Sequence, residues 1–278
     1  ILVSFCRSME NRKRFGVKQD SFSQKSRFHK PAPKQNPDDF VFGVQSVLEV
    51  LNSGKDVEKI LIQKGFSHDE VELLARQRDI IIQRVPPERL NKVTGKNHQG
   101  VIAYVSAINY SSLTNIIADS FETGKTPLFL ILDRITDVRN FGAIARTAEA
   151  SGVNGIVIPL RGAAQIGSDA MKTSSGALSH IPVCRESNLL DAIDELQQSG
   201  FRVMGCTEKT KDTYFRLDLT GPLAIIMGSE EDGISDEILE KCDTTGKIPM
   251  MGKIGSLNVS VACGVLLYEV NRQKMTQE

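Results

Sequence analysis

Short apolar runs separated by polar turns begin near residue 38 and continue to residue 107. Three of them are rich in β-branched residues and alternate with segments whose apolar spacing is helical. Strands are predicted at 59–63, 80–85 and 101–106, and helices at 43–51, 69–78 and 87–93. This order predicts a small α/β domain over residues 37–108, followed by a linker over 109–126 with one helix near 113–121.

From residue 128 onward the apolar runs lose their polar alternation. Strands are predicted at 128–132, 155–159, 181–184, 202–206, 224–227 and 247–250, and helices at 141–151, 188–198, 235–242 and 257–273. Strands without alternation are typical of a parallel sheet covered on both faces by helices. We therefore predict that residues 127–278 form a second α/β domain built on a parallel sheet.

Three polar clusters follow strands of this second domain, and parallel sheets bind ligands at the carboxyl ends of their strands. The first cluster contains Asn140, which is suited to cap a helix starting at residue 141. Gly142 in the first turn permits close approach of another group, and Arg146 follows on the same helix. Taken alone, this cluster is more typical of an ordinary helix start with a surface arginine.

The second cluster spans residues 228–233, where two glycines flank carboxylates, and the third is the loop 252–258 before the last helix. A helix N-terminus presents unpaired N–H groups and a partial positive charge. Each cluster has a plain alternative, an acidic surface turn in one case and a capped helix in the other. Their shared position after strands favours a binding site.

Charge is zero over the 278 residues but is unevenly placed. Residues 1–36 contain nine Lys or Arg and two carboxylates, so this segment carries +7 and the rest of the chain −7. Its composition predicts a disordered basic tail. Such a tail indicates either a polyanionic partner or a solvated segment without one. Since the chain does not begin with Met, its start is expected at Ile1 or Met9.

Several function classes have no support in the sequence. The five cysteines lack a CxxC or other ligand spacing, which predicts no disulfide framework, no metal site and a reducing, cytoplasmic location. No uninterrupted apolar run approaches the length of a membrane span. There is no G-x-G-x-x-G or P-loop pattern. His98 in Asn97-His-Gln-Gly100 is interpreted as a turn residue.

The three clusters together resemble the motifs of the SpoU/TrmH family of RNA ribose 2′-O-methyltransferases, in the SPOUT superfamily. They match N-x-G-x-x-x-R, G-x-E-x-x-G and I-P-M followed by S-L-N-V-S-x-A, in that order. The matching residues are Asn140, Gly142, Arg146, Gly228, Glu230, Gly233, Ile248-Pro-Met250 and Ser256-Leu-Asn-Val-Ser-Val-Ala262. The chain departs from the family pattern at Val138, where proline is common, and at Glu231, where glycine is common.

The small domain shares the resemblance. The segment from Phe42 to Val50 and the His98-Gln-Gly100 turn are similar to the substrate-binding domain of the bacterial subgroup that methylates a guanosine of 23S rRNA. That domain is itself similar to RNA-binding ribosomal proteins.

The resemblance implies a C-terminal trefoil knot, bound S-adenosylmethionine, an RNA substrate and a homodimer formed through the C-terminal domain. It assigns catalytic roles to Arg146, Asn140, Glu230, Ser256 and Asn258, and cofactor contacts to Gly228, Gly233, Ile248, Met250 and Leu257. Because a guanidinium is a poor base, Arg146 is expected to grip phosphate and polarise the 2′-hydroxyl; the general base is left open. Two alternatives remain: a tRNA ribose methyltransferase, and a non-catalytic RNA-binding or ribosome-assembly factor.

Overall fold

The computed structural model describes residues 39–276, and the predicted basic tail lies outside them. Residues 40–105 form a four-stranded sheet with the order β1-β4-β2-β3. The strands are β1 (Phe40–Phe42), β2 (Val57–Gln63), β3 (Ile81–Val85) and β4 (Val101–Val105), and the helices are α1 (Val44–Asn52), α2 (Asp69–Gln77) and α3 (Pro87–Val93). Only β2 and β3 pair in parallel; β4 runs antiparallel to both β1 and β2.

Each face of the small sheet has its own core. Helices α1 and α2 pack on one face around Val47, Ile60 and Val71, and α3 covers part of the other face through Leu90. His98 is buried at the turn before β4, where its Nδ1 accepts a hydrogen bond from the Gly100 N–H at 3.0 Å. His98 is therefore a turn residue, as predicted.

A six-stranded, fully parallel sheet with the order β10-β8-β9-β5-β6-β7 forms the second half. Its strands are β5 (Leu128–Leu132), β6 (Gly155–Pro159), β7 (Val183–Glu186), β8 (Arg202–Cys206), β9 (Leu223–Met227) and β10 (Thr244–Gly246). The helices are α4 (Leu113–Glu122), α5 (Val138–Ala150), α6 (Ser168–Thr173), α7 (Leu189–Gln198), α8 (Asp236–Lys241) and α9 (Val259–Met275). The predicted parallel sheet is confirmed, and the knot stays a prediction.

Helices cover both faces of this sheet, which explains its apolar strands. Helices α5, α6 and α9 pack with one face, and α4, α7 and α8 with the other. The strands β5 and β9 are buried along their whole length and are neighbours, so the loops that follow them lie side by side. The sheet thus brings the first two polar clusters together at one edge.

Several predicted elements differ from the structure in their bounds; the helix expected at 141–151 begins at Val138, and the strand expected at 59–63 begins at Val57. No strand of the sheet covers residues 247–250; the strand in this part of the chain is β10, which ends at Gly246. The strand expected at 181–184 lies two residues later, as β7. The last helix begins at Val259 rather than at residue 257, so more of the third cluster is loop. Strand β1 and helix α6 were not predicted. Within residues 39–276, no helix is long and apolar enough to cross a membrane.

Candidate active site

Two adjoining cavities open at the carboxyl edge of the parallel sheet. The larger has a volume of about 580 Å³, and the smaller about 270 Å³. Residues 229–232, in the loop after β9, and Val259 at the start of α9 line both. The second polar cluster therefore forms the shared wall.

A hydrogen-bonded cluster of three polar side chains joins the three sequence motifs at this wall. The Asn140 Nδ2 donates to Glu230 Oε1 at 2.7 Å. The Asn258 Nδ2 donates to the same oxygen and to Asn140 Oδ1, both at 3.0 Å. Glu230 lines both cavities, Asn140 the smaller and Asn258 the larger. We call these residues the Asn140–Glu230–Asn258 cluster.

The predicted capping role of Asn140 was wrong. Helix α5 begins at Val138, and its N-cap is Asp137, whose carboxylate accepts from the backbone N–H groups of Arg139 and Asn140 at 2.8 and 2.9 Å. Asn140 therefore lies in the first turn of the helix, where its amide is available to Glu230. By contrast, Asn258 is the N-cap of α9, accepting from the Ser260 N–H at 3.0 Å.

Asp133 and Arg134 hold the first two motif loops together, a role that the sequence interpretation missed. Asp133 is buried and accepts from the Ser235 N–H at 2.9 Å, after the second loop. Arg134 donates to both oxygens of Asp133 and to the Gly233 carbonyl at 3.0 Å. The signal in the sequence for this role was the position of a charged pair directly after a fully apolar strand.

Gly228 permits the tight loop that carries Glu230. A Cβ added at Gly228 would lie 2.1 Å from both the Gly233 carbonyl carbon and the Ile234 nitrogen. The loop is closed by reciprocal backbone hydrogen bonds between Ser229 and Gly233, and Gly233 has a φ of 71°. Glycine is therefore required at Gly228 by close backbone approach and favoured at Gly233 by its left-handed conformation.

The larger cavity contains all five residues predicted to contact the cofactor. Gly228, Gly233, Ile248, Met250 and Leu257 line it, as does Ser256 of the predicted catalytic set. Its volume lies in the range of small-molecule sites, roughly 300–1,000 Å³. The apolar wall suits an adenine ring, and four carboxylate residues (Glu208, Glu230, Glu231 and Asp232) suit a ligand with a sulfonium and an ammonium group. The residues present therefore fit S-adenosylmethionine.

Arg146 is not brought to this site by the described chain. It is exposed on α5, six residues beyond Asn140, and lines neither cavity. Helix α5 packs against α9, where the Asn271 Nδ2 donates to the Ser151 carbonyl at 3.0 Å. The outer side of α9 exposes Val261, Tyr268 and Met275, which are spaced seven residues apart.

Cys206 is the one thiol among residues 39–276 that lines the larger cavity. Burial, aided by the Glu208 carboxylate, raises the pKa of Cys206 to about 11. The thiol is therefore protonated near neutral pH and unsuited to act as a nucleophile. Over the same residues, no group of three or more His, Cys, Asp or Glu side chains is arranged to hold a metal ion.

Basic side chains stand over aromatic rings on the α3 side of the small sheet. Lys59 Nζ lies 4.9 Å from the Tyr104 ring centroid, and Lys96 Nζ lies 5.9 Å from that of Phe42. Burial and the neighbouring Arg89 lower the pKa of Lys59. Among the described residues neither lysine forms an ion pair with a carboxylate.

Two family models match this chain. The SpoU rRNA Methylase family model matches residues 127–268, and a second model, for RNA 2′-O ribose methyltransferase substrate binding, matches residues 40–111. A TrmH family tRNA/rRNA methyltransferase of Bacillus subtilis is 40% identical over 85% of this chain and 96% of its own length.

Two solved structures are also similar. The SpoU methyltransferase AviRb from Streptomyces viridochromogenes, solved in complex with the cofactor AdoMet, is 26% identical and covers 85% of this chain and 90% of its own, with a TM-score of 0.55. The A. aeolicus TrmH/SpoU tRNA modifying enzyme is 28% identical and covers only 59% of this chain and 85% of its own, with a TM-score of 0.51. The motif resemblance is thus confirmed along both halves, and the chain belongs to the SpoU rRNA methylase family of S-adenosylmethionine-dependent RNA methyltransferases.

Proposed function

We propose that the protein transfers a methyl group from S-adenosylmethionine to the ribose 2′-hydroxyl of a guanosine in 23S rRNA. The observation that carries this proposal is the position of the Asn140–Glu230–Asn258 cluster on the wall shared by two cavities. The larger cavity would take the cofactor, and the smaller would admit the target ribose. The cofactor supplies an electrophilic methyl group when it is bound.

The side chains of the cluster would orient the ribose. Glu230 Oε1 is held by the two amide groups of Asn140 and Asn258, and no hydrogen bond to Oε2 is present within residues 39–276. Oε2 is therefore free to accept a hydrogen bond from the 2′-hydroxyl. Fixing the hydroxyl oxygen near the reacting methyl would contribute through proximity and orientation.

Ser256 and Arg146 have supporting roles in this proposal. Ser256, in the loop before α9, lines the larger cavity and would complete the wall near the reacting groups. Arg146 is exposed and would grip an RNA phosphate; since it lines neither cavity of the described chain, it would polarise the hydroxyl only if a second copy of the chain presented it to the site. In a homodimer formed through the C-terminal domain, the exposed apolar positions of α9 would be covered.

The small domain favours rRNA over tRNA as the substrate. The tRNA-modifying neighbour aligns with 59% of this chain, whereas the AdoMet-bound SpoU neighbour aligns with 85%. Lys59 and Lys96, above their aromatic rings, would contact RNA phosphates in unpaired loops. We propose that the reaction takes place in the cytoplasm.

The decisive experiment measures transfer of labelled methyl groups to undermethylated 23S rRNA and to tRNA, followed by mapping of ribose methylation. We expect one guanosine of 23S rRNA to be modified. Glu230→Gln should lower kcat by at least about 100-fold, a loss of roughly 2.7 kcal/mol of transition-state stabilisation. Glu240→Gln is the matched control, since Glu240 is exposed on α8 and lines neither cavity. Methylation of tRNA alone, or full activity of Glu230→Gln, would contradict the proposal.

A further inference from the structure

A carboxylate of the small domain caps a helix of the catalytic domain. Asp39, directly before β1, accepts hydrogen bonds from the Ser168 backbone N–H at 2.8 Å and from the Ser168 hydroxyl at 2.9 Å. Ser168 is the first residue of α6, and the preceding N-cap residue, Gly167, has no side chain to cap the helix. The Asp39 carboxylate therefore satisfies a helix terminus that would otherwise lack a side-chain partner.

Helix α6 in turn supports α5, the helix that carries Asn140. Thr173, at the end of α6, packs against Gly142, where an added Cβ would lie 2.0 Å from the threonine hydroxyl oxygen and 2.6 Å from its Cβ. No side chain fits between the two helices at this point. A displacement of α6 must therefore reach the first turns of α5, because packed interiors transmit strain.

A second contact holds the small domain where Asp39 needs it. Arg185, on β7, pairs with Glu58 on β2 at 3.3 Å, and its guanidinium lies 4.1 Å from the ring centroid of Tyr110. The Tyr110 hydroxyl donates to Glu58 at 2.5 Å. The side chains of Arg185 and Glu58 are 12% and 9% exposed. Buried pairs of this kind restrict the relative position of the two sheets.

We propose that Asp39 is a positioning residue for the Asn140–Glu230–Asn258 cluster and acts on it through α6 and α5. The proposal rests on the proposed function above. The contacts form a continuous path: Asp39 fixes Ser168, Thr173 fixes Gly142, and Asn140 lies half a turn from Gly142. The small domain then has a structural role in the catalytic step as well as a role in RNA binding.

The test compares Asp39→Ala, Asp39→Asn and Ser168→Ala. Asparagine keeps an acceptor for the Ser168 N–H and can donate to its hydroxyl, so it should rescue the geometry. We expect Asp39→Ala to lower kcat about tenfold, which corresponds to roughly 1.4 kcal/mol, with the KM for RNA unchanged. Asp39→Asn should retain at least about half of the wild-type kcat, and Ser168→Ala should fall between the two because it removes one of two hydrogen bonds.

A readout without turnover is the side-chain amide NMR signal of Asn140 in 15N-asparagine-labelled protein. Asp39→Ala should shift this signal and leave that of Asn154, which accepts from the Leu128 N–H on the opposite end of β5, unchanged. An unshifted Asn140 signal with wild-type kcat would refute the proposal. So would a raised KM at constant kcat, since Asp39 would then act in RNA docking.

The two proposals fail in different ways. If the wild-type protein methylates no RNA, the proposed function is wrong. The Asn140 amide signal in Asp39→Ala then still shows whether Asp39 acts on Asn140 through α6 and α5. If Asp39→Ala does not fold, Ser168→Ala decides instead, because it leaves every residue of the small domain in place.

Discussion

Replacing Arg185 by methionine tests whether the two halves of the described chain are held together by a buried ionic contact. Arg185 lies on β7, and its guanidinium contacts the Glu58 carboxylate, the Val57 carbonyl and the face of Tyr110. Burial and the adjacent Glu58 raise the pKa of Tyr110, so its hydroxyl remains a donor to Glu58. Methionine preserves much of the side-chain volume and removes the charge.

The expected loss in free energy of unfolding follows from the burial of Arg185 and Glu58. Removal of one member of a buried pair typically costs 3–5 kcal/mol, because the remaining charge is left uncompensated. Here Glu58 keeps its hydrogen bond from the Tyr110 hydroxyl, which places the expected loss near the lower limit, about 3 kcal/mol. For a protein of this size, that loss corresponds to a decrease in Tm of roughly 6–12 °C.

Scanning calorimetry of Arg185→Met and of a matched control measures this loss. The control is Lys241→Met, which breaks the Lys241–Asp194 pair, whose side chains are 42% and 40% exposed. Because surface pairs contribute about 0–1 kcal/mol, the control should change Tm by about 4 °C or less. Equal shifts in the two variants would refute the inference that the Arg185 contact is an important interdomain constraint.

Three further predictions concern the catalytic domain. Gly228→Ala should lower S-adenosylmethionine affinity at least tenfold in calorimetry, because its Cβ would overlap the backbone at Gly233; unchanged affinity would contradict the assigned loop geometry. Gly142→Ala should destabilise the fold by about 1–3 kcal/mol in urea unfolding, since it forces Thr173 away, and a loss below 0.5 kcal/mol would argue against tight packing there. Alkylation of Cys206 should be slow at pH 8 and should accelerate as the pH approaches the thiol pKa of about 11. The stability that the protonated thiol contributes is fully present below about pH 9 and should be lost as the pH rises through about 11. Fast alkylation at pH 8 would show that burial does not raise the pKa.

The strands that could be predicted from the sequence are those in the middle of the parallel sheet. Strands β5, β6 and β8 have the predicted bounds because they are buried apolar runs that end at polar or breaking residues. The prediction failed at β10, an edge strand of polar composition, Thr-Thr-Gly. The apolar segment after it contains Pro249, which cannot donate a hydrogen bond to a sheet. Hydrophobicity therefore predicted a strand where none forms, and Ile248 is only partly buried against the core.

The position of the polar clusters after strands predicted a shared binding edge, whereas the individual site residues came from the motif resemblance. Once the strands are parallel and β5 and β9 are neighbours, the loops after them must meet at one edge. Which side chains contact one another depends on individual hydrogen bonds, which the pattern of strands does not predict. The role of Asp133 was indicated only by its position after an apolar strand, and the contact of Asp39 with α6 has no pattern in the sequence that predicts it.

The residue at which helix α5 begins determines the role of Asn140 in the site. Asp137 and Asn140 are both favourable N-cap residues, and the pattern of apolar positions is compatible with a helix starting after either one. Had Asn140 been the cap, its side-chain oxygen would have accepted a backbone N–H. Because Asp137 accepts two N–H groups instead, the Asn140 oxygen accepts from Asn258 and its amide donates to Glu230. The orientation of Glu230 therefore depends on Asp137, which has no direct contact with that carboxylate among the described hydrogen bonds.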